Sequence, residues 1–337
     1  MAEPAAPTRP SRAWLSNLAG VALVAGLLYW LGAGPALAAL RRIDAPATAT
    51  ALALGALTTI CCAWRWRLVA EALGVRLPLG AAVADCYRAV FLNATLPGGV
   101  LGDVHRAVRH GRDAGDLGRG VRAVLWERTA GQLVQLGLAV GLLLVLPSPV
   151  RPYLPAVTLA VAAGAAALVL ALRALPAGGP LRRARALRAA AADLRAALLD
   201  ARTGPRVALA SVMVVGCHLA TFLLAARVAG VTAPVAVLLP LTLLALLAMG
   251  LPANVGGFGP REGVAAWAFG AAGLGAAQGV STALVYGALV LVAALPGAAV
   301  LIVRRNRSGL RPPAAARTVG KQGGSAPVPA AGLAGSA

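Results

Sequence analysis

The stretch LPGGVLGDVHR, residues 96–106, decides how this chain folds. It ends a segment, residues 79–101, that is apolar on average yet carries Asp85, Arg88 and Asn93. Charged side chains at membrane depth are costly unless they face protein or water. A Pro-Gly-Gly break at that depth is tolerated only where the backbone is buried in protein or lines a cavity. The sequence therefore predicts a re-entrant hairpin or a broken helix here, not an ordinary membrane span.

The chain around this stretch has the composition of a membrane protein. Of its 337 residues 59% are hydrophobic and 12% are charged, and the mean hydropathy is +0.78. A soluble domain carries about 25% charged residues. Six apolar segments are long enough to span a bilayer: residues 13–34, 46–63, 121–146, 153–172, 207–228 and 280–303. We therefore predict an all-α, polytopic integral membrane protein with six to eight transmembrane helices, depending on whether the broken segments cross.

A second break resembles the first. The stretch LPANVGGFGPR, residues 251–261, aligns with residues 96–106 without gaps, 155 positions later, on the pattern LPxxVxGxxxR. Each copy ends an apolar half-segment, and each brings an arginine, Arg106 or Arg261, just after a glycine-rich break. Three predicted spans separate the copies, and an odd number inverts the second copy. Inverted repeats with broken helices point to a transporter's central site, although Gly and Pro also permit simple close packing of helices.

The charge is strongly basic and unevenly placed. The chain has 31 Lys and Arg against 11 Asp and Glu, a net charge of +20. The arginines lie between apolar segments, where the positive-inside rule places cytoplasmic loops, so we expect no nucleic-acid partner. Their distribution predicts a multi-pass protein of the cytoplasmic (plasma) membrane with both termini in the cytoplasm. The run Trp64-Arg65-Trp66-Arg67 after the second span is typical of an interfacial anchor at a helix end.

The richest basic segment, residues 178–203, has a helical pattern. Arg188, Arg195 and Arg202 repeat every seven residues on one face, and leucines share another. This pattern fits an amphipathic helix on an anionic leaflet and fits a solvated cytoplasmic helix equally well. The predicted organisation is a disordered tail at 1–12, a transmembrane domain at 13–305 with repeat halves 13–146 and 153–305, and a disordered tail at 306–337.

The sequence contains no motif that indicates a metal-binding or nucleotide-binding site. The four cysteines and three histidines are scattered without metal-ligand spacing. No phosphate-binding loop of the GxxxxGK[ST] type occurs in the sequence. We therefore expect no metal, no cofactor, no catalytic residue and no ATP-driven pumping by this chain alone.

Three motifs together resemble a known family. Residues 96–106 resemble the signature LPGGxGGDxxR, Glu127-Arg128 stand where the family carries an ER pair, and residues 256–263 resemble GGxGxREG. These are signatures of the lysylphosphatidylglycerol synthase transmembrane-region family of flippase-like proteins. The resemblance covers roughly residues 15–305; Leu101 and Pro260 depart from the family's pattern.

The resemblance implies a role with lipids. In the multiple peptide resistance factor this membrane region is joined to a soluble domain that transfers lysine to phosphatidylglycerol, and the membrane region is held to translocate the product. The short tail after Val303 has no room for that transferase. The resemblance therefore implies the translocating part alone, and its lipid need not be aminoacylated.

The candidate site comprises the breaks and the charges beside them. Backbone N–H groups at a half-helix start, together with an Arg fork, form a receptor for phosphate. We predict Arg106 and Arg261 as headgroup-phosphate ligands, with Asp103, Glu127 and Glu262 either as their ion-pair partners or as contacts for a cationic headgroup. Arg128 and Asn254 complete the predicted headgroup set, and the break loops are formed by Pro97, Gly98, Gly99, Gly102, Pro252, Gly256 and Gly257.

The leading hypothesis is a lipid translocase that binds a membrane phospholipid or lipid-linked substrate. One alternative is a membrane scaffold or accessory subunit for a lipid-modifying enzyme or glycosyltransferase. Another is a membrane-embedded lipid transferase, which needs a carboxylate base or an acidic metal-binding cluster. The candidates for that role, Asp103, Asp113 and Asp116, form no DxD or DDxxD arrangement. A homo-oligomer and a lipid-modifying partner enzyme both stay open.

Overall fold

The structure is a computed structural model that describes residues 24–96, 99–153, 182–250 and 259–309, with the separate positions 22, 155, 156, 159 and 163. Side chains of 153, 182–187 and 303–309 are outside the description. Contacts divide the chain into residues 1–301 and residues 302–337. The predicted tail 1–12 and nearly all of the predicted span 153–172 lie outside the described residues. The predicted tail from 306 begins with four helical residues, and 310–337 lie outside the description.

Every described element is helical. The first half contains α1 (Val24–Leu31), α2 (Gly34–Arg41), α3 (Ala45–Ala72), α4 (Leu79–Thr95), α5 (Leu101–Asp113) and α6 (Leu117–Val145). After a 3₁₀ turn at Arg151–Tyr153, the second half contains α7 (Arg182–Leu194), extended by a π-helical turn (Arg195–Leu199), then α8 (Thr203–Val228), α9 (Val235–Ala248), α10 (Pro260–Ala271), α11 (Ala276–Ala294) and α12 (Pro296–Gly309).

Four helices within the described residues are long and apolar enough to cross a membrane: α3, α6, α8 and the stretch Ala276–Ile302. The α1–α2 pair forms a fifth if its 102° bend lies within one span. The bend falls at Gly32, whose φ of 79° is left-handed and ends α1. These spans and the all-helical fold confirm the predicted class of polytopic membrane protein.

Short polar side chains fix several helix starts. Asp44 caps α3 by accepting a hydrogen bond from the Ala47 N–H at 2.8 Å, and Asp116 caps α6 in the same way. Before α8 the Asp200 carboxylate accepts hydrogen bonds from Thr203 and from the Arg202 N–H, and these bonds lower the pKa of Asp200. Each cap satisfies backbone donors that the first helical turn leaves without partners.

The first break is a hairpin. Asn93 near the end of α4 accepts a hydrogen bond from the Gly102 N–H at 2.7 Å, and Cys86, two turns earlier, lies 3.5 Å from the Arg106 guanidinium. Residue numbers therefore rise along α5 as they fall along α4, so the two helices are antiparallel. The contact is so close that a Cβ on Gly102 would lie 2.2 Å from the Ala89 carbonyl oxygen. Of the two predicted arrangements, the hairpin is the one adopted.

The internal repeat is visible in equivalent hydrogen-bonded turns. After α3 the Val75 N–H donates to the Ala70 carbonyl across Gly74, and after α8 the same bond joins Val231 to Ala226, each pair 156 positions apart. Both turns contain a glycine with left-handed φ, 78° at Gly74 and 86° at position 230. The turns after α5 and α10, which follow the breaks, are also equivalent. The Asp116 N–H donates to the Gly111 carbonyl, and 158 positions later the Leu274 N–H donates to the Phe269 carbonyl.

These spacings correct the predicted alignment of the breaks. The gapless match at 155 positions paired Arg106 with Arg261, but a spacing of 158 places Arg261 at the equivalent of Asp103. The prediction that the two arginines are equivalent is therefore wrong. The physical reason is that a gapless match of the breaks does not locate the helix starts: α10 begins one residue before its arginine, whereas α5 begins five before.

The equivalent long helices of the two halves are antiparallel. Val69 of α3 shares a buried cluster with Val207 of α8, whereas Ala51 shares another with Phe222. Between them, Arg65 of α3 donates a hydrogen bond to the Ser211 hydroxyl of α8 at 3.1 Å. The numbering therefore runs in opposite directions along the two helices, which is the relation that an inverted repeat requires.

The basic segment contains α7, its π-helical turn and the start of α8. Asp193 forms an ion pair with Arg122 of α6 at 2.8 Å. Ala197 is fully buried in the cluster that contains Val69 and Val207. This segment is therefore docked on α3 and α6 at one end of the helix bundle.

Candidate functional site

A cavity of about 280 Å³ lies where both halves of the repeat meet. The first hairpin contributes Asn93 and Asp103 to its wall. The second hairpin is α9–α10, whose Leu241 and Phe269 share a buried cluster, and it contributes Leu246 and Met249 from the end of α9. The long helices α3, α6, α8 and α11 complete the lining. Ligand sites in transporters with inverted repeats occupy the same place, at the interface of the repeats.

An ion network around Glu127 forms one end of the cavity. Glu127 is almost completely buried, and its two carboxylate oxygens are taken by different arginines. Arg65 donates to Oε1 at 2.9 Å from Nε and 2.5 Å from Nη2, and Arg106 donates to Oε2 at 2.5 Å. Buried charges that are removed from water need such pairing. The network therefore locks α3, α5 and α6 together.

Asp103 is the second carboxylate of the network. Its Oδ1 accepts a hydrogen bond from Arg106 Nε at 2.9 Å, and its Oδ2 accepts from Asn93 at 2.9 Å and pairs with Arg128. Asn93 also accepts from the Gly102 N–H, so one amide joins both helices of the hairpin tip to the carboxylate.

The arginines differ in how far a ligand can reach them. Arg106 is enclosed: its side chain is 4% exposed, it pairs with both carboxylates, and its guanidinium stacks 4.9 Å above the Trp66 ring. Arg128 also lines the cavity, but its side chain is 46% exposed. Both predicted ligands line the cavity, and Arg128 is the one whose side chain is more exposed.

Arg65 was placed wrongly by the sequence. The helix does not end at the Trp64–Arg67 run but continues to Ala72, and both Arg65 and Trp66 are buried. The predicted interfacial anchor is therefore wrong for these two residues, because Glu127 of α6 supplies Arg65 with a partner at depth. An arginine about twenty residues into an apolar helix is itself a costly feature, and that signal pointed to a partner.

The second hairpin has a smaller polar cluster. Glu262 accepts a hydrogen bond from the Gly259 N–H at 2.6 Å and pairs with Arg261, whose Nε lies 2.9 Å from Oε1. Arg261 stacks 4.9 Å from the Tyr286 ring, and the Tyr286 hydroxyl lies 2.8 Å from His218 Nδ1. Tyr286 and His218, which the sequence did not single out, line the cavity. Arg261 and Glu262 lie beside this cluster and are not part of the described lining.

The predicted phosphate receptor, formed by backbone N–H groups at the half-helix starts, differs from what the structure shows. At each start one backbone N–H is already bonded to the protein's own side chain: Gly102 to Asn93 in the first hairpin and Gly259 to Glu262 in the second. Those two N–H groups therefore do not serve a ligand in this conformation, and side chains dominate the polar end of the cavity.

The remaining candidate residues have simpler outcomes. Gly99 has a left-handed φ of 61°, and Gly102 lies against Ala89. Asp85 and Arg88 pair with each other on α4, with Arg109 of α5 4.0 Å from Asp85. Among the described residues no group of three or more His, Cys, Asp and Glu is placed to hold a metal ion. The residues that lie outside the description are Pro97, Gly98, Pro252, Asn254, Gly256 and Gly257.

The fold and the site define a multi-pass membrane protein that encloses a charged cavity between two antiparallel repeat halves. The chain belongs to the family described as lysylphosphatidylglycerol synthase TM region, whose model matches residues 17–297. This match confirms the resemblance drawn from the motifs, and it assigns the protein to lipid metabolism or transport in the membrane. The matched region is a membrane region, and no catalytic domain is shown. A search among curated proteins gave no match.

Proposed function

We propose that this protein binds the phosphate-containing headgroup of a membrane lipid in the cavity and moves it across the cytoplasmic membrane. One observation supports the proposal above all: Arg128, whose side chain is half exposed, lines a cavity that both repeat halves enclose. The acyl chains of the lipid stay in the bilayer while the headgroup enters the cavity.

The network prepares Arg128 for an anion. Asp103 pairs with Arg128 and is itself held by Arg106 and Asn93. A guanidinium held in this way can offer its remaining N–H groups to a phosphate as a two-pronged fork. Because its side chain is already ordered, less conformational entropy is lost when the headgroup binds.

The antiparallel halves suggest how the site changes sides. In transporters built from inverted repeats, one half rocks against the other around a fixed central site. Here residues beside the breaks of both halves, Asn93 and Asp103 in the first and Leu246 and Met249 in the second, line one cavity. Movement of one hairpin relative to the other would open the cavity to one leaflet and then to the other.

The charge distribution supports an orientation. The base of the first hairpin lies at the same end of the bundle as the start of α6. That end carries Arg76 in the loop before α4, Arg112 in the last turn of α5 and Arg119 in the first turn of α6. The basic segment at the start of α8 joins the same end. By the positive-inside rule this end faces the cytoplasm, so the first hairpin enters from the cytoplasm and the second from the opposite side. Cytoplasmic placement of both termini stays a prediction.

The test is headgroup translocation in proteoliposomes. Phosphatidylglycerol with a fluorescent label on one acyl chain is incorporated, and a membrane-impermeant reductant reports how much label reaches the outer leaflet. We expect Arg128→Gln to slow translocation about 10- to 100-fold, because a charge-assisted hydrogen bond contributes about 1.5–3 kcal/mol.

The matched control is Arg119→Gln on the same helix, since Arg119 is exposed and pairs only with the nearby Asp116 among the described residues. It should translocate like the unmodified protein. Unchanged translocation by a folded Arg128→Gln variant would overturn the assignment of Arg128. No translocation by the unmodified protein, together with co-purification of a lipid-modifying enzyme, would replace the proposal with the scaffold alternative.

A further inference from the structure

The carboxylates at the cavity have no free oxygen for a cationic ligand. Glu127 Oε1 is occupied by Arg65 and Oε2 by Arg106. Asp103 Oδ1 is occupied by Arg106, and Oδ2 by Arg128 and Asn93. An ammonium group that entered the cavity would have to share these oxygens with arginines that already neutralise their charge.

The charge balance of the described lining is positive. Three arginines, Arg65, Arg106 and Arg128, stand against two carboxylates, Asp103 and Glu127, which leaves one positive charge. Residues 97–98 and 251–258, which lie outside the description, contain no Asp, Glu, Lys or Arg. One phosphodiester charge would neutralise the site, whereas a net cationic headgroup would add to its repulsion at low dielectric.

Neutral amides continue the polar wall beyond Arg128. Gln132 and Gln135 lie four and seven residues further along α6, on the helical face of Arg128, and both line the cavity. At 1.5 Å per residue they extend the polar surface by about 6 and 10 Å. Neither amide makes a hydrogen bond within the described part of the chain. An amide offers both donors and an acceptor, which matches a hydroxyl group that donates and accepts.

The size of the cavity limits the headgroup. At about 280 Å³ it is at the lower end of the range for small-molecule sites, about 300–1,000 Å³. A phosphate with a short polyol suits this volume better than an oligosaccharide does.

We infer that the lipid taken by this cavity carries a single phosphodiester charge and a small, neutral, hydroxyl-bearing headgroup, and that a cationic aminoacylated headgroup is rejected. The inference rests on the proposed function and narrows its substrate class. Arg128 binds the phosphate, and Gln132 and Gln135 bind the hydroxyl groups.

The test compares lipids in the same proteoliposomes. Phosphatidylglycerol and lysyl-phosphatidylglycerol carry the same acyl-chain label at the same mole fraction, with labelled phosphatidylcholine as a zwitterion without free hydroxyls. We expect phosphatidylglycerol to be translocated at least about tenfold faster than either of the other two. Equal or faster movement of lysyl-phosphatidylglycerol would overturn the inference and leave the proposed function standing. If none of the three lipids moved, both would be overturned.

A charge substitution provides an independent readout. Gln132→Glu places a carboxylate one helical turn from Arg128 and cancels the net positive charge of the described lining. It should therefore lower the ratio of phosphatidylglycerol to lysyl-phosphatidylglycerol transport about tenfold or more. Gln132→Asn is the matched control, which keeps the charge and should keep the order of preference. Gln135→Glu is read in the same way if Gln132→Glu does not fold. An unchanged ratio in a folded Glu variant would overturn the placement of the headgroup along α6.

Discussion

The two hairpins share a backbone plan but differ in charge. The first, α4–α5, carries seven Asp, Glu, Lys and Arg side chains, and the second, α9–α10, carries two. Both contribute to the wall of the same cavity, the first with Asn93 and Asp103 and the second with Leu246 and Met249. A duplicated fold has thus produced a cavity with one charged side and one apolar side.

The difference is clearest at one pair of equivalent positions. Gly120 of α6 and Gly279 of α11 each pack their helix against its hairpin, and they are 159 positions apart. Glu127 and Tyr286 have the same spacing, so they occupy equivalent positions in the two halves. Each contacts the arginine of its own hairpin, Glu127 by an ion pair and Tyr286 through its ring face. The two arginines reach these equivalent positions from positions in their hairpins that are not equivalent. The side chain at 127 or 286 decides whether the contact is an ion pair or a stacking contact.

The largest predicted effect is a difference in stability between variants of the buried glutamates beside the two hairpins. Glu127→Gln removes the carboxylate that Arg65 and Arg106 share, and we expect it to lower the free energy of unfolding by roughly 3–5 kcal/mol. Glu262→Gln should cost less, because a glutamine oxygen can still accept the hydrogen bond from the Gly259 N–H at the start of α10. The measurement is thermal unfolding of the purified protein in detergent.

Glu71→Gln is the control for that comparison. Glu71 forms a half-exposed pair with Arg67 on α3, so its loss should change stability by no more than about 0.5 kcal/mol. Equal losses of unfolding free energy in Glu127→Gln and Glu262→Gln would show that the charged network contributes no more to stability than the smaller cluster of the second hairpin.

A smaller effect tests what the hairpins share. A Cβ on Gly120 would lie 2.4 Å from the Gly111 Cα, and one on Gly279 would lie 2.3 Å from the Ala265 carbonyl oxygen. We expect Gly120→Ala and Gly279→Ala each to destabilise the protein by about 1–3 kcal/mol, because backbone must move apart. Gly137→Ala on α6, with nothing within 4 Å of its Cβ, should be neutral or stabilising. A loss confined to one repeat would contradict the structural equivalence of the two halves.

The smallest effect tests the apolar side. Tyr286→Phe keeps the ring beneath Arg261 but removes the hydroxyl that lies 2.8 Å from His218. We expect a loss of about 1 kcal/mol, the contribution of one neutral hydrogen bond. Thermal unfolding again provides the measurement, with Tyr29→Phe at an exposed tyrosine as the control. A loss as large as that of Glu127→Gln would mean that Tyr286 contributes to the charged network.

Much of the site could be predicted from the sequence, for identifiable reasons. Asp103 and Arg106 stood out because they follow a glycine-rich break, and Glu127 and Arg128 because they match the family's ER pair. The structure brings all four together. Arg65 was missed because a tryptophan–arginine run is usual at a helix end. His218 and Tyr286 carried no signal, since one histidine and one tyrosine in apolar helices are ordinary core residues.

The sequence by itself determined that the chain lives in a membrane, that two breaks interrupt its apolar segments, and that related halves follow one another. Hydropathy and backbone breaks depend on residues that are neighbours in the sequence, so they can be found without the tertiary structure. Only the tertiary structure decided the register of the repeat, the partners of each charge and the exposure of Arg128 in place of Arg106. Those depend on which helix faces meet, because a guanidinium at depth is stable only beside the carboxylate that the fold brings to it.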